Sequence, residues 1–182
     1  MEIRPATVSD IDGLVRLQQQ CHIGSLSELA RRDGFLNTVL DSALLIRLIE
    51  SEGTVFVAAE GPHLAAMAVC ASWRFWRCSA ALTSVANRLD AHGDSNDAPS
   101  SANSYFWGPV CVDPEKRGQG IFDALFHQSR AAMSERYRYV YTYVHQDNPH
   151  SIQAHSRKAG FDTLGPLELE GETFITMARK TV

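Results

Sequence analysis

Two glycines beside a pair of cations are the residues of this chain whose spacing most clearly suggests chemistry. Gly118 and Gly120 follow Lys116-Arg117 and separate an apolar run from a helical pattern, in the stretch GPVCVDPEKRGQGIFDALFHQSR at 108–130. Glycine has no Cβ, so its backbone N–H can approach a ligand closely. The start of a helix also favours an anion. These features together predict a phosphate or pyrophosphate site, while a tight turn with a solvated basic pair stays open as the simpler reading.

The two commonest nucleotide-binding patterns do not fit this loop. It lacks the Gly-x-x-x-x-Gly-Lys-Ser/Thr order of a Walker loop, and it lacks the third glycine of a dinucleotide-binding turn. The loop is therefore neither a Walker loop nor a dinucleotide-binding fingerprint.

Alternating strand and helix patterns surround the loop and predict a mixed α/β fold. Ser9 is a candidate helix N-cap with Asp12 as its return partner, and Asn148 caps a later helix that begins at Pro149. Gly160 suits the left-handed end of that helix, with Phe161 closing it. The predicted strands are 2–6, 54–60, 63–77, 104–112, 139–146, 161–169 and 172–179, and the other predicted helices include 36–50 and 121–135.

Residues 78–103 interrupt this pattern. Their second half, DAHGDSNDAPSSANS, is small and polar and has no periodicity. We expect a long mobile loop within one domain that spans 1–182. A linker between two domains is the alternative, but residues 1–77 alone make an incomplete sheet.

Composition restricts the class of protein. The chain has 182 residues, a formal charge of −4 and 45% hydrophobic residues, which suits one globular domain. The acidic balance argues against a nucleic-acid partner. None of the four cysteines has zinc-ligand spacing, so we expect no metal. The opening MEIRPATVSD has no signal-peptide pattern and no apolar run could span a bilayer, so we expect a cytoplasmic protein without a membrane partner.

The order of motifs resembles the GCN5-related N-acetyltransferase (GNAT) superfamily over nearly the whole chain. The resemblance lies in the unit strand–VDPEKRGQGI–helix, in the later NPHSIQAHSRKAGF, and in the opening IRPATVSDIDGL. It implies a single domain with a mixed, mostly antiparallel sheet that splays between its central strands, with helices on both faces. Two departures are Glu115, where the family usually has Arg or Gln, and Phe122, where a small residue is common.

The resemblance also implies acetyl-CoA as the acyl-donor cosubstrate. In the family, backbone amides of the glycine loop bind its pyrophosphate, and the pantetheine arm pairs with the preceding strand. Carried over to this sequence, the cofactor-binding residues are Val110, Cys111, Val112, Arg117, Gly118, Gln119, Gly120, Ile121, Phe122, Asn148, Ser151 and His155.

The reaction implied is direct transfer of an acetyl group to a primary amine in a ternary complex. A backbone N–H near Cys111 or Val112 would stabilise the oxyanion. Cys111 as an acyl-carrying nucleophile is an alternative. The family's usual proton donor is a Tyr that this chain lacks, and its position falls on His155 or Ser156, of which His155 is the better donor. Glu60 is the candidate general base, with Asp113 as its rival.

Two aromatic groups could line the site of the amine acceptor. Period two places Tyr139, Tyr141, Tyr143 and His145 on one strand face. The same period places Trp73 and Phe75 on one face and Trp76 on the other, with Trp107 on a further strand. Core packing is the competing explanation for both groups.

The sequence leaves the acceptor open between a small-molecule and a peptide amine, and a homodimer is plausible by resemblance only. One alternative function is a non-catalytic acyl-CoA-binding sensor or scaffold on the same fold. Another is a different phosphate-binding α/β domain, which would prefer ATP to CoA.

Overall fold

A computed structural model gives the fold and describes residues 1–91 and 97–182. Its helices are α1 Ile11–Cys21, α2 Glu28–Arg31, α3 Ser42–Ser51, α4 Ala80–Ala91, α5 Ile121–Met133 and α6 Pro149–Gln153, the last continued by a π-helical turn at Ala154–Lys158. Its strands are β1 Glu2–Pro5, β2 Val55–Glu60, β3 His63–Ser72, β4 Ser104–Val112, β5 Tyr139–His145, β6 Asp162–Leu169 and β7 Glu172–Lys180.

The strands form one seven-stranded sheet in the order β1-β2-β3-β4-β5-β7-β6. Strands β4 and β5 run parallel, and the other neighbouring pairs are antiparallel. The parallel pair needs the crossover that α5 supplies between the two strands. The mixed, mostly antiparallel sheet predicted from the sequence is therefore confirmed.

Each face of the sheet is covered by helices, as predicted. Along β3, Met67 and Val69 belong to a core shared with α1, α3 and α4, whereas Ala66 and Ala68 belong to a core shared with α5. This alternation is the period-two geometry of a strand buried on both faces.

The prediction of a loop over 78–103 is wrong for its first half. Residues 80–91 form α4, and Leu82 and Val85 on this helix are buried in the core. Their spacing of three residues is a helical signal that the polar segment after them obscured. Residues 92–96 lie outside the described part of the chain, and 97–103 lead into β4.

Three local predictions are corrected at element ends. The first turn before α1 is closed by Asp10, whose Oδ2 accepts the Thr7 amide proton at 2.8 Å, and not by Ser9 and Asp12. Helix α3 begins at Ser42 with Asp41 as its N-cap, so 36–40 are not helical.

The third correction concerns the aromatic residues after β3. The strand ends at Ser72 and a 3-10 turn occupies Phe75–Cys78. Trp73, Phe75 and Trp76 therefore all pack into the core on the α1 side of the sheet, and period two does not separate them. Trp107 lies in the core on the α5 side.

Candidate active site

The central feature of the site is a gap between β4 and β5. The two strands pair only from Ser104↔Tyr139 to Phe106↔Tyr141. Beyond that point Thr142 Oγ1 donates to the Trp107 carbonyl oxygen at 2.8 Å, and the strands then diverge. On its other edge β4 stays paired with β3 as far as Val112. One edge of 107–112 is thus left facing the gap, where an extended ligand could add as a strand.

The glycine loop closes one end of this gap and begins α5. Gly118 and Gly120 have φ of +77° and +76°, and no heavy atom lies within 4 Å of the place where a Cβ would stand on either residue. The first intrahelical bond runs from the Ala124 amide to the Gly120 carbonyl at 3.1 Å, so the amides of the first turn have no acceptor within the helix. Left-handed glycines, open space and a helix start together make an anion cradle.

A small cavity, which we call the cofactor groove, lies between the loop, β4 and α6 and holds about 100 Å³. Most of the residues predicted to bind the cofactor line it. They are Val110, Cys111, Val112, Arg117, Gly118, Gly120, Ile121, Phe122 and Ser151. Gln119 is exposed on the loop, while Asn148 and His155 line a second cavity next to the groove.

Arg117 and Asn148 use their side chains to hold a segment across the groove. The Arg117 guanidinium donates to the carbonyl oxygens of Asp33 at 2.7 Å and Gly34 at 3.1 Å. Asn148 Nδ2 donates to the Phe35 carbonyl oxygen at 3.0 Å. Residues 33–35, which we call the strap, therefore narrow the groove. Arg117 and Asn148, which the sequence predicted to bind the cofactor, have their side chains hydrogen-bonded to the strap.

His155 is buried, with 1% of its surface exposed. Its ring meets those of Trp107, Phe122 and Phe161 at centroid distances of 5.3, 5.2 and 5.5 Å. Burial lowers its pKa to about 4, with the Ser151 carbonyl acting in the opposite direction. The ring is therefore neutral near pH 7.

The hydrogen bond of His155 fixes which nitrogen carries the proton. Nδ1 lies 2.7 Å from the Ser151 carbonyl oxygen, which can only accept, so Nδ1 is protonated and Nε2 is a buried acceptor without a partner. A neutral ring in this tautomer has no acidic proton to give to a thiolate. The geometry thus opposes the proton-donor role predicted for His155.

Glu60 lines neither cavity. It is at the end of β2, where its Oε2 accepts from Lys116 Nζ at 2.7 Å, and that hydrogen bond lowers its pKa. Asp113 is also committed to structure, because its carboxylate caps the Glu115 amide at 3.0 Å and contacts His63 at 3.0 Å. Neither carboxylate faces the gap in the sheet, which opposes the general-base role predicted for Glu60.

Cys111 faces the buried thiol of Cys21 in the wall of the groove. Its hydrogen bond to Cys21, followed by burial, raises the pKa of the Cys111 thiol well above its usual value. Cys21 Sγ donates in turn to the Val112 carbonyl oxygen at 3.5 Å. A thiol held in its protonated form is a poor nucleophile, so the structure disfavours an acyl-cysteine route.

A much larger cavity of about 1210 Å³ opens on the other side of the gap. It is lined by the segment between Ile23 and Leu44, by the start of α4, by β4 and β5, and by the β6–β7 turn. Tyr143 and His145 line it as the sequence suggested, whereas Tyr139 and Tyr141 are buried elsewhere along β5. We call this space the larger cavity.

In the larger cavity His145 has a partner, Glu172, that sequence reasoning missed. His145 Nε2 lies 2.7 Å from Glu172 Oε2, and the Asp147 amide donates to His145 Nδ1 at 3.1 Å. The only sequence signal for Glu172 is its place beside the Glu170-Gly171 turn. Its partner is 27 residues away, and only the β5–β7 pairing brings them together.

Comparison with known proteins gives the family. The model of the "Acetyltransferase (GNAT) family" matches residues 12–161. The chain therefore belongs to the GNAT acetyltransferase family. No curated protein matches it significantly.

Solved structures share the fold at low sequence identity. Ard1 from Thermoplasma volcanium has a TM-score of 0.69 at 17% identity, with 100% of this chain and 97% of that chain covered. The smu.2055 protein from Streptococcus mutans UA159 has a TM-score of 0.67 at 19% identity, with both chains fully covered. YncA, a putative acetyltransferase from Salmonella typhimurium solved with its cofactor acetyl-CoA, has a TM-score of 0.64 at 13% identity, with 100% of this chain and 94% of that chain covered.

The described residues contain neither a membrane-spanning helix nor a cluster of metal-ligating side chains. No helix within 1–91 or 97–182 is both long and apolar enough to cross a membrane. Within the same ranges, no three or more His, Cys, Asp or Glu side chains stand where they could hold a metal ion together.

Proposed function

We propose that this protein transfers an acetyl group from acetyl-CoA to a primary amine. The observation that carries the proposal is the gap between β4 and β5, which joins the anion cradle of the glycine loop to the larger cavity. A donor that carries a phosphate and an acyl group at opposite ends fits these two places, and the family's chemistry is acetyl transfer.

The open space beside Gly118 and Gly120 fits the pyrophosphate of CoA. The backbone amides at 118–121 would hold it, and Lys158 in the wall of the groove would add positive charge. The edge of β4 that faces the gap at Val110–Val112 would pair with the amide groups of the pantetheine arm. Bound in this way, acetyl-CoA supplies an acetyl group already activated as a thioester.

The backbone of β4 would stabilise the charge that develops during transfer. An N–H near Cys111 or Val112 would donate to the oxygen of the acetyl group, a contact that strengthens as negative charge grows there. In the balanced reaction a C–N bond forms and a C–S bond breaks. The ammonium loses two protons, of which one ends on the thiol of CoA and one in solvent.

Calorimetric titration with acetyl-CoA and, in parallel, with ATP tests the cofactor. We expect acetyl-CoA to bind with micromolar affinity, ATP to bind much more weakly, and Gly120→Glu to abolish binding because a side chain and a negative charge enter the cradle. Gly53→Glu is the matched control, since Gly53 also has a positive φ of +62° but lies at the end of α3.

Release of CoA in the presence of amines tests the catalysis. Binding of acetyl-CoA followed by amine-dependent thiol release supports the transferase. Binding without release for any amine would instead favour the sensor or scaffold. No binding of acetyl-CoA would overturn the proposal.

A further inference from the structure

The sheet side of the larger cavity is an aromatic wall. The rings of Phe106 and Tyr143 are 5.2 Å apart, and those of Tyr143 and Phe174 are 5.1 Å apart. Trp76 meets Phe106 edge-on at 6.2 Å, and Leu82 from α4 lines the same space. A ligand group that displaces water from this wall must itself be apolar or aromatic to gain free energy.

Three carboxylates stand beside this wall, two of them against His145. Glu172 contacts Nε2 of His145 at 2.7 Å, and Asp147 Oδ2 lies 4.0 Å from Nδ1. Glu170 is the third, and its negative charge acts together with burial and Tyr141 to raise the pKa of Tyr143 to about 12. These groups come from the β5–α6 connection and the β6–β7 turn, so the fold collects them at one end of the cavity.

The described lining of the larger cavity is acidic. It contains five carboxylates, from Glu28, Asp41, Asp147, Glu170 and Glu172, and two guanidinium groups, from Arg31 and Arg32. Arg31 Nε is directed into the protein, where it donates to the Ile23 and Leu26 carbonyl oxygens at 3.0 and 3.1 Å. The charge of the cavity therefore complements a cation.

We propose that the acceptor is a primary amine attached to an apolar group, with its ammonium held beside His145 and Glu172 and its apolar group against the aromatic wall. A free arylalkyl amine and a peptide with an apolar first residue share this chemistry. The proposal rests on the proposed function, because it names the acceptor of that transfer. It adds a prediction that the transfer alone does not make: polar amines and amino acids with a free carboxylate are poor ligands.

Direct binding of amines tests this without requiring turnover. Four ligands are titrated calorimetrically into the protein, with and without CoA: 2-phenylethylamine, ethanolamine, phenylalanine and the peptide Phe-Gly-Gly-amide. We expect 2-phenylethylamine or the peptide to bind about 10-fold to 100-fold more tightly than ethanolamine, the range for burying one large apolar group. Phenylalanine should bind more weakly than 2-phenylethylamine, because its carboxylate meets an acidic cavity. Tighter binding of 2-phenylethylamine would identify the acceptor as a free amine, and tighter binding of Phe-Gly-Gly-amide would identify it as a peptide.

Two variants assign the binding to this part of the cavity. Glu172→Gln should weaken binding of the preferred amine about threefold to fivefold, and this effect should disappear at 1 M salt. Glu168→Gln is the control, since Glu168 is exposed on the same hairpin and does not line the cavity. Phe174→Ala should reduce the preference for the apolar amine over ethanolamine, while acetyl-CoA affinity stays unchanged in all three variants.

The outcomes separate this proposal from the proposed function. Equal binding of ethanolamine and 2-phenylethylamine overturns it, and so does an effect of Glu172→Gln no larger than that of Glu168→Gln. If acetyl-CoA binds but none of the four ligands does, the acceptor class is wrong and the cofactor site stands. If acetyl-CoA fails to bind, the proposed function fails, while the amine titrations without CoA still decide the ligand class of the cavity.

Discussion

At the scale of single residues, neighbours decide chemistry more than residue type does. His155 is a histidine near the centre of the site, yet an aromatic surrounding keeps its ring neutral and its one proton points at a carbonyl oxygen. Glu60 is a carboxylate on a central hairpin, yet it pairs with Lys116 and lines neither cavity. The pair His145–Glu172 has a carboxylate and an imidazole in contact within the larger cavity.

The buried His155 should make stability depend on pH. Its pKa is about 4 in the folded state against 6.5 ordinarily, so between these values the unfolded chain takes up a proton that the folded chain does not. The free energy of unfolding should therefore fall as pH is lowered, by about 2 kcal/mol from pH 7 to pH 5.

Urea unfolding of the wild type and His155→Phe at both pH values measures this contribution. Phenylalanine suits the aromatic surrounding and does not titrate, so the variant should lose about 2 kcal/mol less between pH 7 and pH 5 than the wild type. The same loss in both proteins would mean that His155 is accessible to protons in the folded state.

Glu60 should prove dispensable for catalysis. We expect Glu60→Gln to leave kcat/KM for the preferred amine within about twofold of the wild type, because the half-buried side chain pairs with Lys116 and lines neither cavity. A general base would contribute about 100-fold or more. Steady-state kinetics across pH 6 to 9 measure this effect. A loss of about 100-fold in Glu60→Gln would show that Glu60 is a catalytic residue after all.

At the scale of elements, the glycine loop and the strap work as a unit. Arg117 follows the loop's 3-10 turn and binds the carbonyl oxygens of the strap, while Asn148 at the start of α6 binds it from the other side. The groove of about 100 Å³ that results is smaller than the pockets of several hundred Å³ that hold drug-sized ligands. If the pantetheine arm enters this groove as proposed above, we expect the strap to shift outward.

Removing the Arg117 side chain should loosen the strap. In Arg117→Ala we expect hydrogen exchange at the Asp33 and Gly34 amides, which donate to the Ala30 and Arg31 carbonyl oxygens, to become at least about tenfold faster, because two charge-assisted hydrogen bonds to the strap are lost. Lys116→Ala is the matched control, because the side chain of Lys116 is hydrogen-bonded to Glu60 and not to the strap. Unchanged exchange at 33–34 would show that Arg117 does not hold this segment.

At the scale of the whole molecule, the sheet consists of two halves joined at β4 and β5. Strands β1–β4 form one half and β5–β7 the other. Among the described strands, the two halves share ladder pairs only at 104–106 with 139–141, followed by the single side-chain hydrogen bond from Thr142 to Trp107. A ligand in the gap contacts both halves and binds the folded state alone. Its binding should therefore stabilise the whole domain.

Thermal unfolding with and without acetyl-CoA measures this coupling. At a concentration 100 times its Kd, acetyl-CoA should stabilise the protein by about 2.7 kcal/mol and raise Tm by about 5–10 °C for a domain of this size. The rise should disappear on removal of the ligand by dialysis and in Gly120→Glu, and persist in Gly53→Glu. A Tm that rises equally in both variants would place the ligand away from the glycine loop.

The sequence by itself determined the features that depend on residues close together in the chain. The strand–glycine loop–helix unit, the Asn148 cap before Pro149 and the turn at Gly160 all lie where the patterns predicted, because helix starts, caps and left-handed turns depend on local backbone geometry. The patterns did not predict helix α4, because its only helical signal was the spacing of Leu82 and Val85 beside a longer polar run.

Only the tertiary structure decided which side chains meet. Glu60 and Lys116 are 56 residues apart, Arg117 and Gly34 are 83 apart, and His145 and Glu172 are 27 apart. No local pattern encodes such pairs, because sheet register and helix packing bring them together only after the chain has folded. Burial acts in the same way on His155, whose proton affinity depends on rings from β4, α5 and Phe161.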